Sequence, residues 1–286
     1  MKTLLVLIKY TDASESIIEY AVDLARDLKT NVHLLYVENP ISTPMGTPHL
    51  TGGAVVQLQR SLEGKLKAGR KAITDQVKEM MHKISGEVIL EVSEAVGDEI
   101  TLISKMVETG KVQMVMIEGQ GMESFTQRDS VAKELIRNVH CPVWLIPKGT
   151  EYQPFHHIIY ATDYHEEDIP TLKKLIDLTH IVSPQITALH ITDNAEFNLR
   201  IKNAGFQKML ETKTGYNKIS VKALVENDED DIVGLINKYA ASYASDLIVL
   251  LKENQHFLER IFNRSITEKM IKEAQKPVLI YHTHNE

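Results

Sequence analysis

Four short apolar segments in the first half of this chain recur, in the same order, in the second half. Leu4-Leu5-Val6-Leu7-Ile8, followed by Thr11-Asp12, is matched by His157-Ile158-Ile159-Tyr160-Ala161, followed by Thr162-Asp163. Val32 to Val37 is matched by Ile186 to Ile191, and Cys141-Pro142-Val143-Trp144-Leu145-Ile146 by Lys276-Pro277-Val278-Leu279-Ile280-Tyr281. Ser130-Val131-Ala132-Lys133-Glu134 is matched by Ser265-Ile266-Thr267-Glu268-Lys269. A repeat constrains the fold more than composition does, because one solution for burying apolar faces must serve twice. Asp12 and Asp163 lie 163 − 12 = 151 positions apart, Pro142 and Pro277 277 − 142 = 135. The first copy is thus longer by 16 residues between those points, and Pro40 to Gly53, with three prolines and three glycines, reads as a surface loop that holds the surplus.

Within each copy, apolar runs of strand length alternate with longer helical patterns. The strands are expected near 3–8, 31–37, 88–94, 112–117 and 142–147, then near 157–161, 186–191, 218–225, 246–251 and 277–281. Helices are expected near 14–28, 58–84, 98–109 and 128–139. The first has Ser14 as a cap and a stripe of Ile17, Ile18, Ala21, Val22, Leu24, Ala25 and Leu28. Strands alternating with helices imply right-handed crossovers and a parallel sheet, and near-continuous apolar strands imply helices on both faces. The reading is α/β, with two tandem five-stranded parallel-sheet domains at 1–149 and 154–286. A length of 286 residues with 43% apolar and 25% charged side chains suits two ordinary cores.

The net charge of −7 argues against a nucleic-acid binder. The single cysteine, Cys141, fits a reducing compartment and the place of a small buried apolar residue. No apolar run reaches the length needed to cross a bilayer, so a cytoplasmic protein with no membrane partner is expected. His156 and His157 alternate faces of a strand, and His282 and His284 have no third ligand, so no metal site is expected.

In an open parallel sheet, ligands bind beyond the carboxyl ends of the strands. Those ends carry Tyr10-Thr11-Asp12, Val37-Glu38-Asn39 and Glu118-Gly119-Gln120-Gly121, the last followed by a helix opening at Ser130. A strand ending in Thr-Asp, a Gly-bearing loop after strand four, a Ser at a helix start and a Cys-Pro-Val strand together resemble the universal stress protein family. The resemblance covers essentially the whole chain, twice. It implies an adenine nucleotide alpha hydrolase-like (Rossmann-like) fold and a stress-response protein that binds ATP or another adenine nucleotide. The residues it points to are Tyr10, Thr11, Asp12, Val37, Gly119, Gly121, Ser130 and Val131. Glycines and a helix N-terminus would cradle phosphates, with Asp12 at the adenosine end and Val37 on the base.

The family's pattern runs Gly, two residues, Gly, nine residues, Gly, then Ser or Thr. In copy one Glu118 takes the first glycine position and Asp129 the third, and seven residues, not nine, separate Gly121 from Asp129. Both carboxylates would repel a triphosphate. In copy two Leu251, Asn254, Arg264 and Ser265 fill the pattern with all glycines gone. A degraded nucleotide site is therefore expected in copy one and no nucleotide in copy two, which is read as a structural partner or a site for another ligand, with Arg264 able to attract an anion. The resemblance also implies that the last strands, 142–147 and 277–281, pair across a two-fold inside one chain. A homo-oligomer and a protein partner of unidentified kind stay open.

Ordinary explanations stand beside each of these. Asp12 and Asp163 suit helix capping, as do Ser14, Ser130 and Ser265. The run Asn227-Asp228-Glu229-Asp230-Asp231 suits the positive end of a helix dipole. No Ser-His-Asp or Cys-His set appears, so an enzyme is not expected. Two alternatives remain: a non-nucleotide interaction scaffold, in which the 40–59 insertion contacts a partner, and a slow nucleotide hydrolase.

Overall fold

The structure is a computed structural model that describes residues 2–8, 15–38, 52–80, 88–119, 127–192, 197–225, 231–252 and 264–282. Contacts divide the chain into two compact units, 1–117 and 118–286.

The first unit contains β1 (Thr3–Ile8), α1 (Glu15–Leu28), β2 (Asn31–Glu38), α2 (Gly52–Met80), β3 (Leu90–Val96), α3 (Glu99–Glu108) and β4 (Met114–Glu118), whose last residue falls just past the division. Its strands run in the order β3-β2-β1-β4, and the pairs β1–β2, β1–β4 and β2–β3 are parallel. Leu4 to Ile8 are buried throughout, as a strand covered on both faces must be. Ile17, Ile18, Ala21, Leu24, Ala25 and Leu28 form the buried stripe of α1 at helical spacing.

The second unit contains α4 (Gln127–Asn138), β5 (Val143–Ile146), β6 (His157–Ala161), α5 (Asp168–Thr179), β7 (Gln185–Thr192), α6 (Phe197–Thr214), β8 (Ile219–Val225), α7 (Ile232–Ser242), β9 (Leu247–Lys252), α8 (Arg264–Glu273) and β10 (Val278–His282). Its order is β5-β10-β9-β6-β7-β8. The ladders are parallel except for β10 against β5, which is antiparallel. By sequence each repeat supplies five strands. By contact the units hold four and six, because β5 zips onto β10.

Both units use the same small devices. Thr3 N–H donates to Gln113 Oε1 at 2.7 Å and Gln113 N–H returns to Thr3 O at 3.1 Å. At the matching place His156 and His157 N–H donate to Asp246 Oδ2 at 2.7 and 3.0 Å, and Asp246 N–H returns to His157 O at 2.9 Å. Asp98 caps α3 through Thr101 N–H at 2.8 Å, and Asp231 caps α7 through Gly234 N–H at 3.0 Å. The rest of the acidic run, 226–230, lies outside the described residues.

The ladders correct the alignment of the repeats. Thr3 pairs with Asn31 and His157 with Gln185, so 157 − 3 and 185 − 31 both give an offset of 154. The buried stripe of α1 maps onto Thr171, Leu172, Leu175, Leu178 and Thr179 of α5 by the same offset. By that count the two Thr-Asp pairs, 151 apart, fall out of step: position 9 in sequence matches Asp163 and position 12 matches Glu166, while residues 9–14 themselves lie outside the described residues. A two-letter match in a connecting loop carries less information than a ladder, whose register fixes every face. The surplus is divided: 13 positions separate β2 from α2 against four between β7 and α6, and α2 is itself longer. Gly52 and Gly53, expected in a loop, open α2, which has 29 residues against 18 in α6. Residues 39–51 lie outside the described residues. Likewise Ser130 does not open its helix but is the fourth residue of α4, and Ser265 is the second of α8. Ser14 lies outside the described residues.

The β5–β10 ladder pairs Val278 with Leu145, Leu279 with Trp144 and Ile280 with Val143. Trp144 is fully buried and stacks on Phe155 with centroids 5.9 Å apart and planes at 12°. Cys141, at the approach to β5, is buried. Beside the ladder, the C-terminal carbonyls of α4 are capped from the other repeat. Lys252 Nζ donates to Ile136 O at 2.7 Å and to Arg137 O at 3.2 Å, and His282 Nε2–H donates to Ile136 O at 2.7 Å. A cation at a helix C-terminus satisfies both its free carbonyls and its dipole, and His282 adds a neutral N–H donor. Burial pushes the Lys252 ammonium below its ordinary value and the His282 imidazole down to about 4, from 6.5.

Two outcomes are expected. Trp144→Ala removes the largest side chain of the ladder and should cost about 3–5 kcal/mol in denaturant unfolding. His282 is neutral when folded, so protons bind preferentially to the unfolded chain between its two pKa values. Its contribution is complete above about 6.5 and declines as pH falls toward about 4, by on the order of 2–3 kcal/mol. Unfolding free energies measured over that range should fall with pH in the native chain and fall less steeply in His282→Gln.

Candidate functional site

The point where strand order reverses in the second unit lies between β6 and β9, and β6 is flanked on its other side by β7. The connection from β6 to α5 is built around one buried carboxylate. Asp168 accepts Tyr160 Oη–H at 2.7 Å, Thr162 Oγ1–H at 2.5 Å and His165 N–H at 3.1 Å. Thr162 Oγ1 in turn accepts Tyr164 N–H at 2.9 Å. Burial raises the Asp168 carboxyl above the ordinary carboxylate range, and the bonds from Thr162, Tyr160 and His165 oppose that shift. Three bonds to one carboxyl within the nine residues 160–168 leave the loop one conformation.

That conformation is strained at Tyr164, whose φ of +64° lies in the left-handed region. For a bulky residue this costs about 1–2 kcal/mol. The ring is held nonetheless. Its centroid is 4.3 Å from that of His190 on β7 and 5.0 Å from that of Phe206 on α6, and its hydroxyl bonds Asn203 Oδ1. Burial, with Asp163 adding to it, raises the Tyr164 phenol well above its usual value, so it stays protonated.

Asp163 directs Oδ1 to within 3.3 Å of His190 Nδ1, the two side chains being 18% and 17% exposed. His190 Nδ1 is also 2.9 Å from Thr162 O. A carbonyl only accepts, so the neutral ring carries its proton on Nδ1 and shares it between the carbonyl and the carboxylate. Next to this pair a pocket of about 350 Å³ is lined by Asp163, Tyr164, Lys202, Gly205, Phe206 and Met209. On α6, Lys202, Gly205, Phe206 and Met209 follow at i, i+3, i+4 and i+7, which places them on one face.

The residues expected from the sequence have a mixed standing. Tyr10, Thr11, Asp12 and Gly121 lie outside the described residues, and Ser130 is described only as a turn of α4. Val37 is the penultimate residue of β2, buried and paired with Ala95. Val131 is buried on α4. Gly119 follows β4, but its N–H already donates to Ile146 O at 2.7 Å, so the backbone donor that a phosphate would need is committed to the fold. A Cβ at Gly119 would meet Leu145 Cδ1 at 3.4 Å, Ile271 O at 3.6 Å and Ile146 O at 3.7 Å, ordinary contact distances. The pocket opens in the second repeat, where no nucleotide but a site for another ligand was expected. Tyr164, His190, Lys202 and Phe206 went unread, and the only sequence signal for them was the i, i+3, i+4, i+7 run on α6. Among the described residues no three His, Cys, Asp or Glu side chains gather as a metal set, and no helix is long and apolar enough to cross a membrane.

The sequence model of the Universal stress protein family matches residues 1–147 and again 154–282. Among curated proteins, Universal stress protein MJ0577 of Methanocaldococcus jannaschii is 27% identical over 154 residues, which cover 45% of this chain and 95% of that protein. A universal stress protein from Archaeoglobus fulgidus superposes with a TM-score of 0.67 at 13% identity, covering 97% of this chain and 98% of its own. A structure described as a putative universal stress protein from Pseudomonas aeruginosa gives 0.61 at 14%, covering 99% and 93%. At such identities these structures speak to fold alone.

If Gly119 has no cradle role, Gly119→Ala should fold normally. The change in unfolding free energy should stay within about 1 kcal/mol, of either sign, by chemical denaturation.

Proposed function

This chain belongs to the universal stress protein family, as a tandem of two of its domains, and from that premise we propose that it is a ligand-binding stress-response protein and not a catalyst. The observation that carries the proposal is the pocket of about 350 Å³ beside Asp163, at the carboxyl end of a parallel strand. An adenine nucleotide is the ligand class the family resemblance suggests for copy one. The committed N–H of Gly119, with Glu118 and Asp129 near the loop in sequence, supports weak binding there rather than tight. Among the described residues no three His, Cys, Asp or Glu side chains gather as a metal set, which supports slow or absent turnover.

We read the antiparallel β5–β10 ladder as a built-in counterpart of a two-chain dimer. Trp144 faces Leu279, and these two residues are 279 − 144 = 135 apart, the offset of the Pro142 and Pro277 pair. Each strand thus meets its own repeat equivalent, the arrangement of an isologous contact. The cytoplasm is the compartment that suits a chain with one buried thiol and no membrane-crossing helix among its described residues. A second reading, an interaction scaffold without a nucleotide, is favoured by the same engaged Gly119 N–H.

Calorimetry and thermal melting with ATP, AMP and cyclic AMP at millimolar concentration test the nucleotide reading. Binding should raise stability by mass action, by about 2.7 kcal/mol at a hundredfold excess over Kd, with phosphate release at background. Neither heat nor a melting shift with any of the three would remove the nucleotide and leave the scaffold.

A further inference from the structure

Among the described residues, the pocket beside Asp163 is lined by one acid, one base and an apolar wall. The Asp163 carboxylate is only 18% exposed, and among the described residues its only ion-pair partner is His190, through a proton shared with Thr162 O. A carboxylate so placed still has room for a donor. Lys202, on α6, lines the same pocket and has no ion pair among the described residues. The same pocket is lined by Tyr164, by buried Phe206 and by Met209. Gly205 keeps this wall open: a Cβ there would have nothing within 4 Å.

We propose that this pocket takes a small zwitterionic amine of the amino-acid class, its ammonium on Asp163, its carboxylate on Lys202 and its apolar side chain against Tyr164, Phe206 and Met209. The proposal rests on the reading of this pocket as a ligand site and gives that ligand a chemistry. A simple cation would meet Lys202 unfavourably, and a simple anion would meet Asp163. A molecule carrying both charges satisfies each. The volume stands at the lower end for ligand pockets, enough for an amino acid. For a polyphosphate, copy two lacks every glycine of the family's loop, with Leu251, Asn254 and Arg264 in their places, and Lys202 is a single ammonium. The aromatic pair and the flexible thioether accept different apolar side chains, so selectivity among Phe, Leu and Met should be modest.

The test uses the full chain with methyl-labelled methionine, following the Met209 resonance by NMR. The titrants are L-phenylalanine, L-leucine and L-methionine, their N-acetyl and carboxamide derivatives, and AMP. The free amino acids should move the Met209 signal to saturation. Blocking either charge should weaken binding at least about tenfold, the worth of one charge-assisted contact. Asp163→Asn and Lys202→Gln, both near-isosteric, should each lose about the same factor for the free amino acid while keeping the native spectrum. Blocked derivatives binding within tenfold of the parent would overturn the charge assignment. If AMP moves Met209 and no amino acid does, the zwitterion falls while the ligand site stands. If no compound moves Met209, the pocket is not a site for any of them and both readings of it fall, whatever calorimetry finds for nucleotide in copy one.

Discussion

The antiparallel joining of β5 to β10 is the contact on which the second unit depends. Parallel sheets of this kind normally end at an exposed strand, and an exposed edge of unpaired N–H and C=O groups invites aggregation. Here the last strand of one repeat covers the last strand of the other. Val143, Trp144, Leu145 and Ile146 are all buried, and so are Val278, Leu279, Ile280 and Tyr281. The energy of burying Trp144 against Phe155 and Leu279 pulls β5, and α4 with it, into the second unit. That explains why contacts divide the chain at 117/118 while the family's model divides it near residue 150.

The junction is formally two-fold, yet its chemistry is not. By ladder register Gly119 corresponds to Lys252, since Leu4 pairs with Met114 and Ile158 with Leu247, both 133 apart in the second strand of each pair. Lys252 reaches Ile136 O, and Gly119 sits near Ile271 O, the repeat equivalent of that carbonyl. One helix end thus receives an ammonium and an imidazole, while at the other the position of Lys252 is taken by Gly119 and Glu273 O accepts Asn237 Nδ2–H at 2.8 Å. Duplication supplied the symmetric backbone, and divergence then placed a long cation at one end only.

The same divergence shaped the pocket. A buried carboxylate, Asp168, organises the β6–α5 connection and forces Tyr164 into a left-handed backbone that its own ring contacts then stabilise. Strain held by well-satisfied neighbours is characteristic of places where a binding surface is preformed. Asp163 is the product of that arrangement: it stands immediately after Thr162 at the strand end and leans on His190, with Lys202 and Phe206 across from it on α6.

The amino-acid sequence by itself determined the class of fold, the alternation of strands and helices, and the fact of duplication. Those depend on apolar periodicity, which is local: Leu4 to Ile8 and the stripe from Ile17 to Leu28 declare their burial within a few residues. Registers were not legible, because two equivalent loops need not share letters, and the Thr-Asp pairs at 11–12 and 162–163 are 151 apart where the ladders give 154. Nor was the pocket legible. Asp163, His190 and Lys202 come from three different elements, and only the parallel pairing of β6 with β7 and the packing of α6 against β8 and α5 set Asp163 beside His190 and place Asp163 and Lys202 on one pocket. Gly119 was decided by tertiary structure too, since nothing in a Gly-Gln-Gly string tells whether its N–H faces a phosphate or the carbonyl of Ile146.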